Sequence, residues 1–238
     1  MEEHYIVQVQ SQVQGLVDDL KAVFTHAGLA GEAAEYKLLT QSFLYKFLND
    51  KFLYEALNID ESYDYQGLLN LSEEDYDWFL DDIGTKTAHL KPEQLIESLH
   101  RQQNQADFAE IFEQTLNQIA IDNNAIFSVH TDGGTDIRLF DQRLITDTIS
   151  DTSKRNEVAA SIINLLARVK FDQQIFSQGF DFFSTLFEYM IKDYNKDGGG
   201  KYAEYYTPHS VAKIIAAILV GNDQPISVKI YDPSAGSG

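Results

Sequence analysis

Residues 226–238 read Ile226-Ser227-Val228-Lys229-Ile230-Tyr231-Asp232-Pro233-Ser234-Ala235-Gly236-Ser237-Gly238. The first six residues alternate and are rich in β-branched side chains, which predicts a β-strand. A turn of small residues follows directly, and doubly wound α/β folds approach nucleotide-like ligands through such a Gly-rich turn. Gly-x-Gly alone is a weak signal. The third glycine and the downstream acid of the dinucleotide fingerprint are not present, so a dehydrogenase is not supported.

A second motif lies upstream, at Glu204-Tyr205-Tyr206-Thr207-Pro208. Thr207 suits a helix cap and Pro208 suits a first helical residue. We expect a helix that ends at Gly221 and carries five apolar residues at helical spacing: Val211, Ile214, Ile215, Ile218 and Leu219. One helix and one strand therefore separate the two motifs.

The N-terminal part is predicted to be helical because its apolar residues recur at three- and four-residue spacings. Such stripes occur at Val9, Val13, Leu16, Val17 and Leu20; at Ala33, Tyr36, Leu39, Phe43, Leu44, Tyr45, Phe47, Leu48 and Phe52; at Phe108, Ile111, Phe112 and Leu116; and at Val158, Ile162, Leu165 and Leu166. From Phe43 onward the apolar residues fall on almost every side, which predicts a helix buried nearly all round.

Two further helices are marked by their ends. Ser72 to Asp75 resembles a capping box, and Gly84 is a suitable stop for the helix that follows. Pro92 suits the first turn of a segment that carries Leu95, Ile96 and Leu99. A further helix is predicted over 182–191, followed by a Gly-rich loop over 195–201.

The helical pattern breaks at residues 131–136, where a small hairpin and an irregular loop are both compatible with the sequence. Asp132 and Asp136 suggest a calcium loop, but the remaining acidic ligands are missing. The six histidines include no pair one helical turn apart, so we expect no metal site.

The net charge is −19, and it is unevenly distributed. Residues 1–169 carry twelve basic and twenty-nine acidic side chains, whereas residues 170–238 carry six and eight. The N-terminal part is therefore a poor candidate for contact with DNA phosphates. Solvation of a helical surface, mimicry of DNA and complementarity to a basic partner subunit all remain open as reasons for the acidity.

The composition bears on where in the cell we expect the protein. The chain has no cysteine, which excludes disulfides and thiolate metal sites. No apolar run approaches the roughly 20 residues that span a bilayer, and the first residues lack the basic region of a secretory signal. We expect a cytoplasmic protein that does not contact a membrane.

The two C-terminal motifs carry a family resemblance. Asp232-Pro233-Ser234-Ala235-Gly236-Ser237-Gly238 resembles the cofactor motif of DNA amino-methyltransferases, and Glu204-Tyr205-Tyr206-Thr207-Pro208 resembles their aromatic-Thr-Pro motif. The order matches the gamma-type adenine methyltransferases. Residues 43–50 and 181–191 are similar to helices in the modification subunit of type I restriction-modification systems. The chain thus resembles the N-terminal part of such a subunit, truncated after the Gly-rich cofactor motif.

The resemblance implies a fold and a cofactor. It implies a mainly α N-terminal assembly domain at 1–169, followed at 170–238 by the start of an α/β, Rossmann-like methyltransferase domain. The implied cofactor is S-adenosylmethionine. Its expected contacts are Glu204, Tyr205, Tyr206, Thr207, Pro208, His209, Asp232, Ser234, Ala235 and Gly236.

The resemblance also implies a reaction, the transfer of a methyl group to the exocyclic amino group of adenine, which must first leave the base stack. The family holds the flipped base with an Asn- or Asp-Pro-Pro-aromatic motif. The four prolines of this chain stand at 92, 208, 225 and 233, with no adjacent pair. We therefore expect no catalytic residue within 1–238, and no methylation by these residues alone.

The implied partners are the specificity and restriction subunits of the complex, with double-stranded DNA bound by the full-length enzyme. Two alternatives remain open. The helical part is compatible with a partner-binding module that leaves the cofactor motif unused, and a type II enzyme with fused restriction and methyltransferase activities shares the motif order.

Overall fold

The computed structural model describes residues 2–31, 33–127, 139–171, 173–177, 207, 209–220 and 231. Within these ranges every regular element is a helix. The α-helices are α1 (Glu2–His26), α2 (Ala33–Ile59), α3 (Tyr65–Leu69), α4 (Glu73–Ile83), α5 (Ile96–Gln102), α6 (Phe108–Asp122), α7 (Asn124–Phe127), α8 (Leu144–Thr148), α9 (Arg155–Arg168), α10 (Gln173–Ser177) and α11 (His209–Val220), and Pro92–Gln94 and Thr152–Lys154 are short 3-10 helices.

The contacts divide the chain into two units, Met1–Phe180 and Asp181–Gly238. We call the first the helical unit. It confirms the mainly α character predicted for the N-terminal part. The predicted domain boundary between residues 169 and 170 stays a prediction, as does the α/β start, because residues 226–230 of the expected strand lie outside the described ranges.

Helix α1 buries the apolar stripe predicted for it. Val9, Val13, Leu16, Val17 and Leu20 are all at most 2% exposed. They lie on one face because α-helical residues three and four apart are neighbours on the helix surface. This face packs on α9 and α2.

Helix α2 lies at the centre of the helical unit and contacts α1, α4, α8, α9 and α10. The predicted burial on nearly every side is confirmed, since Phe43, Tyr45, Leu48 and Phe52 are at most 3% exposed. A helix with neighbours all round must also bury some polar side chains. Here these include Lys46, Asn49 and Asp50.

Helix α4 begins and ends where the sequence predicts. The Ser72 hydroxyl accepts a hydrogen bond from the Asp75 amide at 3.2 Å and donates to the Asp75 carboxylate at 2.6 Å. Gly84 ends the helix at φ +58°, a left-handed conformation that glycine adopts without the steric penalty of a Cβ.

Helices α5, α6 and α9 complete the core around α2. Each of α5 and α6 packs on α9. The predicted stripes of α6 and α9 are confirmed by the burial of Phe108, Phe112, Leu116, Val158, Ile162 and Leu166.

The prediction of one helical segment beginning at Pro92 is wrong in detail. Pro92 begins a 3-10 helix that stops at Gln94, and Leu95 is extended before α5 begins at Ile96. The reason lies in α2. The buried Tyr45 hydroxyl donates to the Gln94 carbonyl at 2.6 Å, so this carbonyl is bonded to a side chain rather than to a following helical amide.

Several predictions lie outside the described residues. They are the break at 131–136 with its hairpin, loop and calcium-loop alternatives, the helix over 182–191, the loop over 195–201 and most of the strand over 226–231. Among the described helices, none is both long and apolar enough to cross a bilayer.

Candidate functional site

The aromatic-Thr-Pro segment is described at Thr207 and from His209 onward. Thr207 is exposed, and α11 begins at His209, directly after Pro208. The predicted helix after Thr207-Pro208 is confirmed, and it ends at Val220, one residue before the predicted stop at Gly221. The first turn of a helix leaves backbone N–H groups without intrahelical partners. Thr207 therefore lies beside hydrogen-bond donors that a polar ligand can use.

Helix α11 exposes its apolar side chains. Ile218 and Leu219 are 75% and 80% exposed, and Ile214 is 61% exposed. Every residue from Val211 to Val220 is exposed. An apolar surface of this kind normally marks a contact region, and helices of α/β folds bury such a stripe against a sheet.

The other predicted cofactor residues lie outside the described ranges. These are Glu204, Tyr205, Tyr206, Pro208, Asp232, Ser234, Ala235 and Gly236. Tyr231, which precedes Asp232, is described and is 89% exposed. The meeting of the two motifs at one cofactor pocket therefore stays a prediction.

The helical unit contains a groove of about 710 Å³ that the sequence did not predict. Its wall includes Lys46, Asn49 and Asp50 of α2, Ile96 of α5 and Phe171, together with apolar side chains such as Leu53, Leu57 and Leu95. All of its described lining residues belong to the helical unit.

A buried ion pair lies at the wall of this groove. The Lys46 ammonium is 2.8 Å from Asp50 Oδ2, and the two side chains are only 3% and 9% exposed. The amide of Asn49 donates to Asp50 Oδ1 at 2.8 Å, and the backbone N–H of Phe171 donates to Asp50 Oδ2 at 3.1 Å. Burial lowers the pKa of Lys46, and the adjacent Asp50 carboxylate offsets part of this effect.

These contacts give the Lys46–Asp50 pair a structural role in the groove wall. Both Asp50 oxygens already accept hydrogen bonds, so this carboxylate is not a free general base. The Asn49 carbonyl oxygen accepts from the Ile96 amide at 2.9 Å, which fixes α5 on α2. Within the described ranges, no three His, Cys, Asp or Glu side chains converge on a metal position.

Helical periodicity does not reveal this cluster, for a physical reason. The apolar pattern around Lys46, Asn49 and Asp50 indicates that this part of the helix is buried. It does not indicate their hydrogen-bond partners, because Ile96 lies on α5 and Phe171 lies 121 residues after Asp50. The available signal was the pair of opposite charges one helical turn apart within an otherwise buried stretch.

Comparison with known proteins bears on the C-terminal part. No solved structure shows a significant match to the chain. Residues 178–238, about a quarter of the chain, match the family model described as N-6 DNA methylase. This range contains both predicted cofactor motifs, together with Thr207 and α11. The C-terminal part of the chain is therefore similar to the N-6 DNA methylases.

Proposed function

We propose that the chain belongs to a DNA adenine N6-methyltransferase that uses S-adenosylmethionine. The observation that carries the proposal is the family match at 178–238, within which α11 occupies its predicted place between the two motifs. The cofactor supplies the methyl group. The chain supplies the surfaces that hold the cofactor, at Glu204 to His209 and at Asp232, Ser234, Ala235 and Gly236.

The proposed contacts follow from the chemistry of each segment. Small residues at Ser234 to Gly236 let the backbone approach the ligand closely. The Asp232 carboxylate suits the ammonium group of the cofactor, since opposite charges attract. Thr207 is exposed, and the donors of the first turn of α11 adjoin it, which fits a polar ligand. None of these three contacts requires a metal ion.

We further propose that the protein is the modification subunit of a type I restriction-modification complex. In this account the helical unit assembles with the specificity and restriction subunits. The charge distribution supports this role, because the acidic residues 1–169 are unsuited to DNA phosphates and leave DNA contact to other parts of the enzyme. Residues 1–238 have no paired-proline motif, so this account assigns them no base-holding group.

Two alternatives make different predictions. A helical partner-binding module with an unused cofactor motif would bind its partner but give no heat with S-adenosylmethionine in calorimetry. A type II enzyme with fused activities would carry its DNA-recognition region on the same polypeptide, whereas a type I subunit copurifies with a separate specificity subunit.

Photochemical labelling tests the cofactor site. The complete gene product is irradiated with tritiated S-adenosylmethionine and digested, and the labelled peptides are sequenced. We expect label in peptides containing 204–209 and 232–236, and competition by unlabelled cofactor but not by ATP. Gly236→Val should abolish the label because a branched side chain fills the close approach. Lys213→Ala, exposed on α11, is the matched control and should keep it. Label confined to other peptides would refute the proposal.

A further inference from the structure

The outer face of α4 carries an exposed tryptophan. Helix α4 buries Tyr76, Phe79 and Ile83 against the helical unit. At about 100° per residue, Trp78 points away from that buried face. The structure agrees, since Trp78 is 69% exposed and packs on no neighbouring ring among the described residues. Tryptophan is a frequent anchor of protein–protein contacts.

Four carboxylates surround this indole. Residues three and four positions away from Trp78 are its neighbours on the helix surface. On the N-terminal side these neighbours are Glu74 and Asp75, and on the C-terminal side they are Asp81 and Asp82. All four are exposed. We call these four residues and Trp78 the Trp78 face.

The stability of the fold accounts for two of these carboxylates. Asp75 takes part in the cap with Ser72, and Glu74 lies in the first turn, where the helix dipole favours negative charge. Asp81 and Asp82 lie in the last turn of α4, where the helix dipole disfavours negative charge. Across the part of the chain that the structure describes, no ion pair neutralises Glu74, Asp81 or Asp82. The same part shows no metal-binding group of carboxylates.

We propose that the Trp78 face docks a positively charged protein segment, with Trp78 as the anchor. Charge complementarity identifies the occupant. The nearest Lys or Arg residues on either side of Trp78 in sequence are Lys51 and Lys86, and the stretch from Asp60 to Asp82 holds nine acidic residues. A Lys or Arg side chain can stack on the indole by a cation–π contact while its charge meets the adjacent carboxylates. A DNA duplex carries the wrong charge for this surface.

This inference is independent of the proposed methyltransferase activity. The Trp78 face lies outside the 178–238 family match. Its test reads fluorescence and not methyl transfer, so one proposal can fail while the other stands.

Trp78 is the only tryptophan of the chain, so its fluorescence reports on this face directly. The 238-residue chain is titrated with a synthetic amphipathic helical peptide of Leu, Lys and Arg. The expected result is a saturable blue shift that weakens as salt is added, because the indole leaves water and the charges are screened. The same peptide with Glu in place of its basic residues, and a DNA duplex, should give no shift. No shift with the basic peptide, or an equal shift with DNA, overturns the proposal.

Matched charge variants separate a defined surface from general attraction to an acidic protein. Glu74→Gln/Asp81→Asn/Asp82→Asn should weaken peptide binding by about tenfold or more. Asp19→Asn/Glu110→Gln/Glu157→Gln removes the same charge from exposed positions on α1, α6 and α9 and should bind as the parent does. Asp81→Asn and Asp82→Asn remove charge that opposes the dipole of α4, whereas Glu74→Gln removes charge that favours it, so the first variant should be about as stable as the parent. Equal weakening in both variants overturns the proposal.

Discussion

The buried charges of α2 are stabilised by neighbours on the same helix and by the backbone of Phe171. Asp50 accepts from Lys46, from Asn49 and from the backbone of Phe171. Lys46 also lies over the Phe171 ring at 5.4 Å. An ion pair this deeply buried is tolerated only when its hydrogen bonds are complete, because both charges have lost their water. Each partner is therefore essential to the others.

Asp50→Asn should destabilise the helical unit by about 3 kcal/mol, because the buried Lys46 ammonium loses its counter-charge. Urea unfolding followed by circular dichroism measures the change. Asp147→Asn is the matched control, since Asp147 pairs with Arg143 at the same spacing but both side chains are more than half exposed. This control should cost below about 1 kcal/mol. Equal losses for the two variants would contradict the account.

Two buried phenols make the fold sensitive to alkali. Burial raises the pKa of Tyr45 and of Tyr76 above the ordinary value of 10.0. Their hydroxyl groups donate to the carbonyls of Gln94 and Leu90. Above pH 10 the unfolded chain releases these protons before the folded chain does, so the free energy of unfolding falls as pH rises.

The double variant Tyr45→Phe/Tyr76→Phe should therefore be less stable at neutral pH, by about 1 kcal/mol for each lost hydrogen bond. Between pH 10.5 and pH 12 its free energy of unfolding should also fall less steeply than that of the parent. Each removed phenol should reduce the slope by up to about 1.4 kcal/mol per pH unit. The lowered pKa of Lys46 has the opposite effect below pH 10.5, where it makes the free energy of unfolding rise with pH. Denaturant unfolding over this range tests the slope, and an unchanged slope would show that these phenols do not control it.

At the scale of one element, α4 shows how local chemistry fixes the two ends of a helix. Ser72 caps the first turn, and Gly84 ends the last turn at a positive φ. The acidic residues of the first turn, Glu73, Glu74 and Asp75, are attracted to the positive end of the helix dipole. The buried face between these ends, formed by Tyr76, Phe79 and Ile83, fixes the helix on its neighbours.

Ser72→Ala should cost about 1 kcal/mol, because the Asp75 amide loses its hydrogen-bond acceptor. Thermal unfolding of the 238-residue chain measures the loss. Ser72→Thr is the rescue control, since its hydroxyl group can accept from the Asp75 amide and donate to the Asp75 carboxylate as serine does. An equal loss in Ser72→Ala and Ser72→Thr would mean that the cap is not the cause.

The elements that the sequence predicted well are those set by neighbours in sequence. The cap at Ser72, the stop at Gly84 and the helix after Thr207 depend on residues within one or two turns. The segment that begins at Pro92 was predicted wrongly because the Tyr45 hydroxyl donates a hydrogen bond to the carbonyl of Gln94. Tyr45 lies 49 residues before Gln94, so a local pattern does not reveal this contact.

The same distinction limits what the sequence predicts of the candidate sites. The order of the cofactor motifs can be read directly, but a pocket requires a strand and a helix to meet, and this depends on contacts distant in sequence. The groove shows the same limit. Its wall depends on Phe171 reaching Asp50, and helical periodicity does not encode that contact.

At the scale of the whole molecule, charge is the dominant feature. A net charge of −19 on a chain of 238 residues opposes a compact state through self-repulsion. Only a few of the acidic side chains form ion pairs within the described ranges, as Asp141 does with Lys37. The acidic residues 1–169 thus favour basic partners over polyanions.

Added salt should therefore stabilise the chain. We expect the Tm to rise between about 0.01 M and 0.5 M NaCl, over which the Debye length falls from roughly 30 Å to below 8 Å. Differential scanning calorimetry measures the change, with an uncharged solute at equal osmolarity as the control. A Tm that falls with salt would mean that attractive ion pairs outweigh the repulsion.

The methylated nucleoside in DNA tests the central claim most directly. Duplex DNA is incubated with labelled S-adenosylmethionine and the complete gene product, purified with its associated proteins, and is then digested to nucleosides. The account predicts label in N6-methyladenine, its loss in Gly236→Val, and no transfer by residues 1–238 alone, which lack an adjacent proline pair. Label in a methylated cytosine, or methyl transfer by residues 1–238 alone, would contradict it.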